Sequence, residues 1–139
     1  MIKIICGPKG TGKTKINIDE ANSKVPCAKG HLIFLTNTKR YMYDLHRDIR
    51  VIDTTDYKVA GEEAFCGFVK GVVAANNDNE FLFIDGAARI AGKELKDMAA
   101  FYYMLERLSE ENNLTVYVTV SSAKEDLPDF IAKYLEQAG

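Results

Sequence analysis

The chain has 139 residues, of which 47% are hydrophobic and 27% charged, with a formal net charge of −2. Such a chain fits one globular domain over residues 1–139, and its 10% of aromatic residues argues against intrinsic disorder. No run of about 18 apolar residues occurs, so the sequence predicts no membrane-spanning helix. The segment Met1–Cys6 is too short and too soon followed by glycine to be a signal peptide.

Charge is distributed unevenly along the chain. Residues 1–50 contain ten Lys/Arg and four Asp/Glu, whereas residues 51–139 contain eight and sixteen. A basic N-terminal half favours a polyanionic ligand such as phosphate, while the negative net charge argues against a dedicated nucleic-acid-binding domain. Cys6, Cys27 and Cys66 are odd in number and lack a CxxC pair. They predict reduced thiols, with neither a disulfide framework nor a zinc site, and hence a cytoplasmic location.

The predicted strands and helices alternate along the chain. In chain order the predicted strands are Ile2–Cys6, Leu32–Leu35, Arg50–Ile52, Phe81–Ile84 and Val116–Val120. The predicted helices cover residues 13–23, a short segment 41–46 capped by Thr38, 62–73, 95–108, and a last helix beginning near Pro128. Five strands separated by helices predict an α/β fold of three layers, with a mainly parallel five-stranded sheet between helices.

A glycine-rich segment after the first strand matches the phosphate-loop pattern G-x-x-x-x-G-K-[ST] at every fixed position. Glycines allow the backbone to approach phosphate closely, and the N–H groups that open the following helix point at the anion. We expect Lys13 to bind the β- and γ-phosphates and the Thr14 hydroxyl to ligate Mg²⁺. The predicted phosphate-binding segment consists of Gly7, Pro8, Lys9, Gly10, Thr11, Gly12, Lys13, Thr14 and Lys15.

A second pattern supports the phosphate loop. Phe81–Ile84 is a wholly apolar run of strand length, and Asp85 follows it directly. In open α/β sheets, ligands bind at the carboxyl ends of the strands, which is where Asp85 would lie. The run therefore matches the Walker B pattern, and we expect Asp85 to hold Mg²⁺ together with Thr14.

Taken together, these motifs resemble the RecA-like branch of P-loop ATPases. That resemblance implies extra strands between the two motifs, a strand order that sets the Val116–Val120 strand beside the phosphate-loop strand, and a polar sensor residue at Ser121. The whole chain also resembles small ATP-binding proteins of Gram-positive bacteria, some of which are labelled twitching-motility (PilT-type) ATPases. The G-protein motifs N-K-x-D, which binds guanine, and D-x-x-G are absent, which favours ATP over GTP.

The sequence departs from the RecA-like pattern in its water-activating acid. Gly86 follows the Walker B aspartate, and strand two ends in Thr36, so neither position carries a glutamate. Glu94 is the next acid in the chain, and Asp53 and Asp56 end strand three. We take Glu94 as the candidate base and Arg89 as the candidate charge stabiliser, and we expect slow or partner-dependent hydrolysis.

Two further points stay open at the level of sequence. The segment Asn37–Tyr41 could stack on adenine, hold a second substrate, or only begin a helix with exposed charges. The chain itself could be a weak or partner-activated ATPase, a small-molecule or nucleotide kinase, or a nucleotide sensor that does not hydrolyse. The resemblance also suggests a phosphate-loop strand at the sheet edge, which would allow homo-oligomers; a partner protein is the other option, and nucleic-acid binding is disfavoured.

Overall fold

Five parallel strands form the centre of the protein, in a computed structural model that describes residues 1–135. The strands are β1 (Ile2–Gly7), β2 (His31–Thr36), β3 (Ile49–Asp53), β4 (Asn79–Ile84) and β5 (Thr115–Ser121). They pair in the order β1-β5-β4-β2-β3, so the phosphate-loop strand lies at one edge with β5 beside it. The predicted fold class and all five strands are confirmed.

Helices cover both faces of this sheet. They are α1 (Lys13–Lys24), α2 (Glu62–Ala74), α3 (Ala87–Ala91), α4 (Ala99–Asn112) and α5 (Asp129–Ala132), with short 3-10 turns at Met42–Asp44, Thr54–Tyr57, Leu95–Asp97 and Lys124–Asp126. None of the helices within residues 1–135 combines the length and apolar character needed to cross a membrane.

Alternation along the strands divides the interior into two cores. Phe34, Phe83 and Tyr117 face α1, and neighbouring rings in this row stack at centroid distances of 6.3 and 4.9 Å. The residues one position later, Leu35 and Ile84 among them, face α2 and α4 instead. Because side chains alternate along a strand, the residue that ends each strand faces either α1 or the side of α2 and α4, and this alternation decides where polar side chains meet.

Two local predictions were wrong, and one short helix was missed. The helix predicted over 41–46 is one 3-10 turn, and the Thr38 hydroxyl accepts a hydrogen bond from the backbone N–H of Arg40 instead of capping it (3.1 Å). The helix predicted to start at Leu95 starts at Ala99 after a separate turn. The five-residue helix α3 was not predicted, because glycines bound it on both sides and leave no helical apolar period to detect.

Candidate functional site

The phosphate loop connects β1 to α1 through backbone conformations that glycine adopts more readily than other residues. Gly10 and Gly12 have φ values of 83° and 81°, in the left-handed region, and Gly12 is the N-cap residue directly before α1. A Cβ on Gly7 would lie 2.6 Å from the Thr11 hydroxyl oxygen, because the loop folds back on the end of β1. The three glycines therefore let the loop curl tightly and present the first turn of α1.

Lys13 is the basic side chain at the centre of this loop. It is 8% exposed, and its Nζ donates to the carbonyl of Pro8 at 3.0 Å, as the Thr11 hydroxyl does at 2.6 Å. Within residues 1–135 no acidic group lies within ion-pair distance of Lys13. Its positive charge therefore stays available to an anion bound in the loop.

Asp85 lies directly across from the start of α1. The Thr14 hydroxyl contacts both carboxylate oxygens, at 3.0 and 3.2 Å, and the Thr119 hydroxyl donates to Oδ1 at 3.0 Å. Only 2% of Asp85 is exposed. Asn17 ties α1 to the same place, since its Nδ2 donates to the carbonyl of Ile84 at 3.3 Å. The two predicted metal ligands are thus brought together as a pair of hard oxygen donors.

Arg89 reaches this carboxylate from α3. Its Nη2 lies 3.9 Å from Oδ2 of Asp85, and the side chain is 63% exposed. Helix α3 begins two residues after Asp85, which keeps Arg89 close to that carboxylate. Arg89 is thus a charged group at the rim of the site.

A single cleft of about 1110 Å³ contains these groups. Beyond Lys15 on α1 it extends to a wall formed by Arg40, Tyr41 and Asp44, where the Arg40 guanidinium lies 5.5 Å from the Tyr41 ring centroid. On the other side of Asp85 it is lined by Leu95, Tyr102, Val120 and Ser121. Burial raises the pKa of the Tyr102 phenol, which keeps that hydroxyl protonated.

The structure brings most of the predicted site residues to this cleft. Those that line it are Lys9, Gly10, Gly12, Lys13, Thr14, Lys15, Asp85, Arg89 and Ser121, while Gly7, Pro8 and Thr11 support the loop behind it. Ser121 pairs with Gly7 in the register of β1 and β5. The Lys15 ammonium is engaged by Asp19 at 3.2 Å on the exposed side of α1.

Glu94 is not brought together with the rest. Its carboxylate is 75% exposed, pairs with Lys96 at 3.4 Å, and borders a separate shallow surface of residues 92–97. Glu94 lies in the unpredicted break between α3 and α4, where its side chain faces solvent although the neighbouring Leu95 lines the cleft. The geometry gives no support to the role predicted for Glu94.

Asp53, the other candidate base, has a structural role. It accepts hydrogen bonds from the Thr55 backbone N–H (2.9 Å) and hydroxyl (2.7 Å), and Lys39 lies 3.3 Å away and also contacts Asp56. Burial by itself would raise the pKa of Asp53, but these hydrogen bonds outweigh it and hold the pKa below its usual value. Asp53 therefore stabilises the turn after β3.

Sequence reasoning missed Thr119 and Tyr102. Thr119 could have been found from strand parity, since it alternates in phase with Tyr117 and so faces the same side of the sheet as Asp85. In the sequence, Tyr102 is indistinguishable from an ordinary core residue of an amphipathic helix. Its position at the cleft wall follows from packing between α4 and β5, which the sequence pattern does not encode.

Comparisons with known proteins support the fold. No protein family matches the chain, and no curated protein does. Among solved structures, the chain is similar to a KaiC-like protein from the hyperthermophilic archaeon Pyrococcus horikoshii OT3. The TM-score is 0.58 at 17% identity, over 96% of this chain and 68% of that one. At this identity the likeness shows the three-layer α/β fold alone and gives no support to a PilT-type label.

The Asp53 turn makes a prediction about stability and pH. A group whose pKa is lowered on folding adds stability above its unfolded pKa, about 3.9 for Asp, and loses it as the pH falls through the folded value. We expect Asp53→Asn to lower the free energy of unfolding by about 1–2 kcal/mol at pH 7, because a charged acceptor is lost. Urea denaturation over a pH series should show this difference shrinking below about pH 4. A difference that stays constant with pH would contradict the assignment.

Proposed function

We propose that the protein binds a nucleoside triphosphate, with ATP as the favoured ligand, together with Mg²⁺. The observation that carries this proposal is the contact between Thr14 and Asp85, at the end of a loop whose lysine has no acidic partner among the described residues. A hydroxyl and a carboxylate are the oxygen ligands that Mg²⁺ prefers, so the residues present fit this ion. Bound Mg²⁺ would neutralise charge on the β- and γ-phosphates.

The chain's own residues divide the work of binding. The N–H groups from Gly10 to Thr14 and the Lys13 ammonium bind phosphate oxygens, with the positive end of α1 behind them. Thr119 holds Asp85 in place through its hydroxyl, and the Gly86 N–H donates in turn to that hydroxyl at 3.4 Å. Arg89 stabilises charge on the transferring phosphoryl group from the rim, and Ser121 contributes a hydroxyl at the end of β5.

Hydrolysis by this site is proposed to be slow, or to need a partner. Asp85 is the acid at the phosphate end of the cleft, and a metal ligand cannot also serve freely as a base. Glu94 faces solvent, and Asp53 is engaged by Thr55 and Lys39. Phosphoryl transfer to water also depends on orienting that water, and beyond Asp85 the described residues place no free carboxylate at the phosphate end of the cleft. A switch, motor core or nucleotide sensor fits these properties better than a fast enzyme.

The base of the nucleotide is proposed to lie against Tyr41 and Arg40. Lys15 and Ile18 continue the cleft from the phosphate loop along α1 to these two side chains. An aromatic ring with a guanidinium beside it offers a planar surface for stacking. Of the alternatives for Asn37–Tyr41, base binding is therefore favoured over a helix start, since the helix is a single turn.

A kinase is the second candidate. It is favoured by the extension of the cleft beyond Asp85, where Leu95, Val120 and Tyr102 leave space next to the expected γ-phosphate. An acceptor bound there would make ATP consumption depend on its presence, whereas an ATPase would release phosphate without it. The three free cysteines support a cytoplasmic location, and the edge position of β1 supports self-association or pairing with another protein.

Phosphate release from Mg²⁺-ATP over hours tests the proposal, with Lys13→Ala as the comparison. We expect slow phosphate release by the wild type. For Lys13→Ala we expect the nucleotide affinity to fall about ten- to hundredfold, because charge-assisted hydrogen bonds to phosphate are lost. Lys70→Ala, an exposed change on α2, is the matched control and should behave as wild type. Release that is equal in all three proteins would exclude an ATPase, and equal affinity would exclude the proposed site.

The base subsite is tested by comparing two neighbouring tyrosines. Tyr41→Ala should weaken ATP binding by about 1–3 kcal/mol, the usual scale for stacking an aromatic side chain on a base. Tyr43→Ala is the control, because Tyr43 is 96% exposed and does not line the cleft. Equilibrium binding of a fluorescent ATP analogue measures both. Equal affinities for the two variants would show that the base binds elsewhere.

A further inference from the structure

Arg89 is the counter-ion of the buried Asp85 carboxylate. The Asp85 side chain is 3% exposed, and its nearest cation is the Arg89 guanidinium, with Nη2 at 3.9 Å from Oδ2. Within residues 1–135 no other basic group lies within ion-pair distance of Asp85, and Lys13 is turned towards the carbonyl of Pro8. Arg89, and not Lys13, therefore compensates the negative charge of Asp85.

The guanidinium of Arg89 packs against the backbone of Gly86. A Cβ built on Gly86 would lie 2.6 Å from Nη2, 3.2 Å from Nε and 3.3 Å from Cζ of Arg89. Gly86 also has a φ of 80°, in the left-handed region that disfavours other residues. The guanidinium thus lies against the bare α-carbon of the residue that follows Asp85, and its position depends on the backbone of this turn.

Mg²⁺ and Arg89 compete for the same carboxylate. Thr14 and Thr119 already contact Asp85 through hydroxyls, which are neutral and can remain when a metal ion binds. A guanidinium next to the bound ion would repel it, although solvent around the exposed Arg89 side chain moderates this repulsion. The side chain of Arg89 is 63% exposed and carries no other ion pair within the described residues, so little holds it in place.

We propose that Mg²⁺ displaces Arg89 from Asp85 when the nucleotide binds, and that the freed guanidinium then contacts the phosphates. Metal binding and completion of the phosphate site are thereby coupled through one side chain. In the absence of Mg²⁺, the nucleotide binds a site in which Arg89 is still paired with Asp85. This inference rests on the proposed nucleotide-binding function. It assigns Arg89 two successive partners, beyond the single role of stabilising charge at the rim.

Binding of a fluorescent, non-hydrolysable ATP analogue as a function of Mg²⁺ concentration tests this exchange. For Arg89→Ala we expect the Mg²⁺ midpoint to fall by about two- to fivefold, the range for losing one partly exposed ion pair, while affinity at saturating Mg²⁺ decreases. Gly86→Ala should also lower the Mg²⁺ midpoint while the arginine is retained, because the added Cβ would occupy the space that the Arg89 guanidinium now fills. Arg89→Lys should restore part of the wild-type midpoint.

Arg107→Ala is the matched control, because Arg107 is 58% exposed on α4 and pairs with Glu111 outside the cleft. Its Mg²⁺ midpoint should equal that of the wild type. A midpoint for both Arg89→Ala and Gly86→Ala that matches Arg107→Ala would overturn the exchange and leave the proposed function intact. A wild type that fails to bind the analogue at any Mg²⁺ concentration would instead overturn the proposed function, and this inference with it. Circular dichroism establishes that each variant is folded before the comparison.

Discussion

The meeting of Asp85 with the first turn of α1 is the contact on which the rest of the site depends. A buried carboxylate is costly unless it has partners, and here two threonine hydroxyls and one guanidinium supply them. Thr14 belongs to the helix that follows β1, and Asp85 directly follows β4, which lies two positions away from β1 in the sheet. The hydrogen bond of 3.0 Å from the Thr14 hydroxyl to Oδ1 of Asp85 fixes the position of the loop relative to the carboxyl edge of the sheet.

Sheet order explains how this contact is reached. Strand β5 lies between β1 and β4, so α1 must cross over β5 to meet the end of β4, and Thr119 on β5 stands beneath that crossing. Asn17 secures the crossing one turn further along α1. The stacked rings of Phe34, Phe83 and Tyr117 fill the space below. The apolar core thus supports the polar edge, and the cleft opens where the strands end.

Sequence patterns were sufficient for the parts of the protein governed by periodicity and by a fixed motif. The strands, the amphipathic helix α2 and the loop from Gly7 to Thr14 follow directly from residue type and spacing. The segment after Asp85 was predicted less well, because a five-residue helix and a 3-10 turn bury few residues each and have no measurable period. The exposure of Glu94 could not be foreseen for the same reason: its distance along the chain was known, but the turn that exposes it was not.

Calorimetric titration with a non-hydrolysable ATP analogue, with and without Mg²⁺, tests the central claim most directly. If Thr14 and Asp85 form a metal site next to the phosphate loop, one analogue should bind per chain, and removing Mg²⁺ should weaken binding by roughly tenfold or more, or about 1.4 kcal/mol. Binding that is absent, or that does not respond to Mg²⁺, would contradict the account. In that case the Thr14–Asp85 contact would be a structural link between α1 and β4 and not a nucleotide-binding centre.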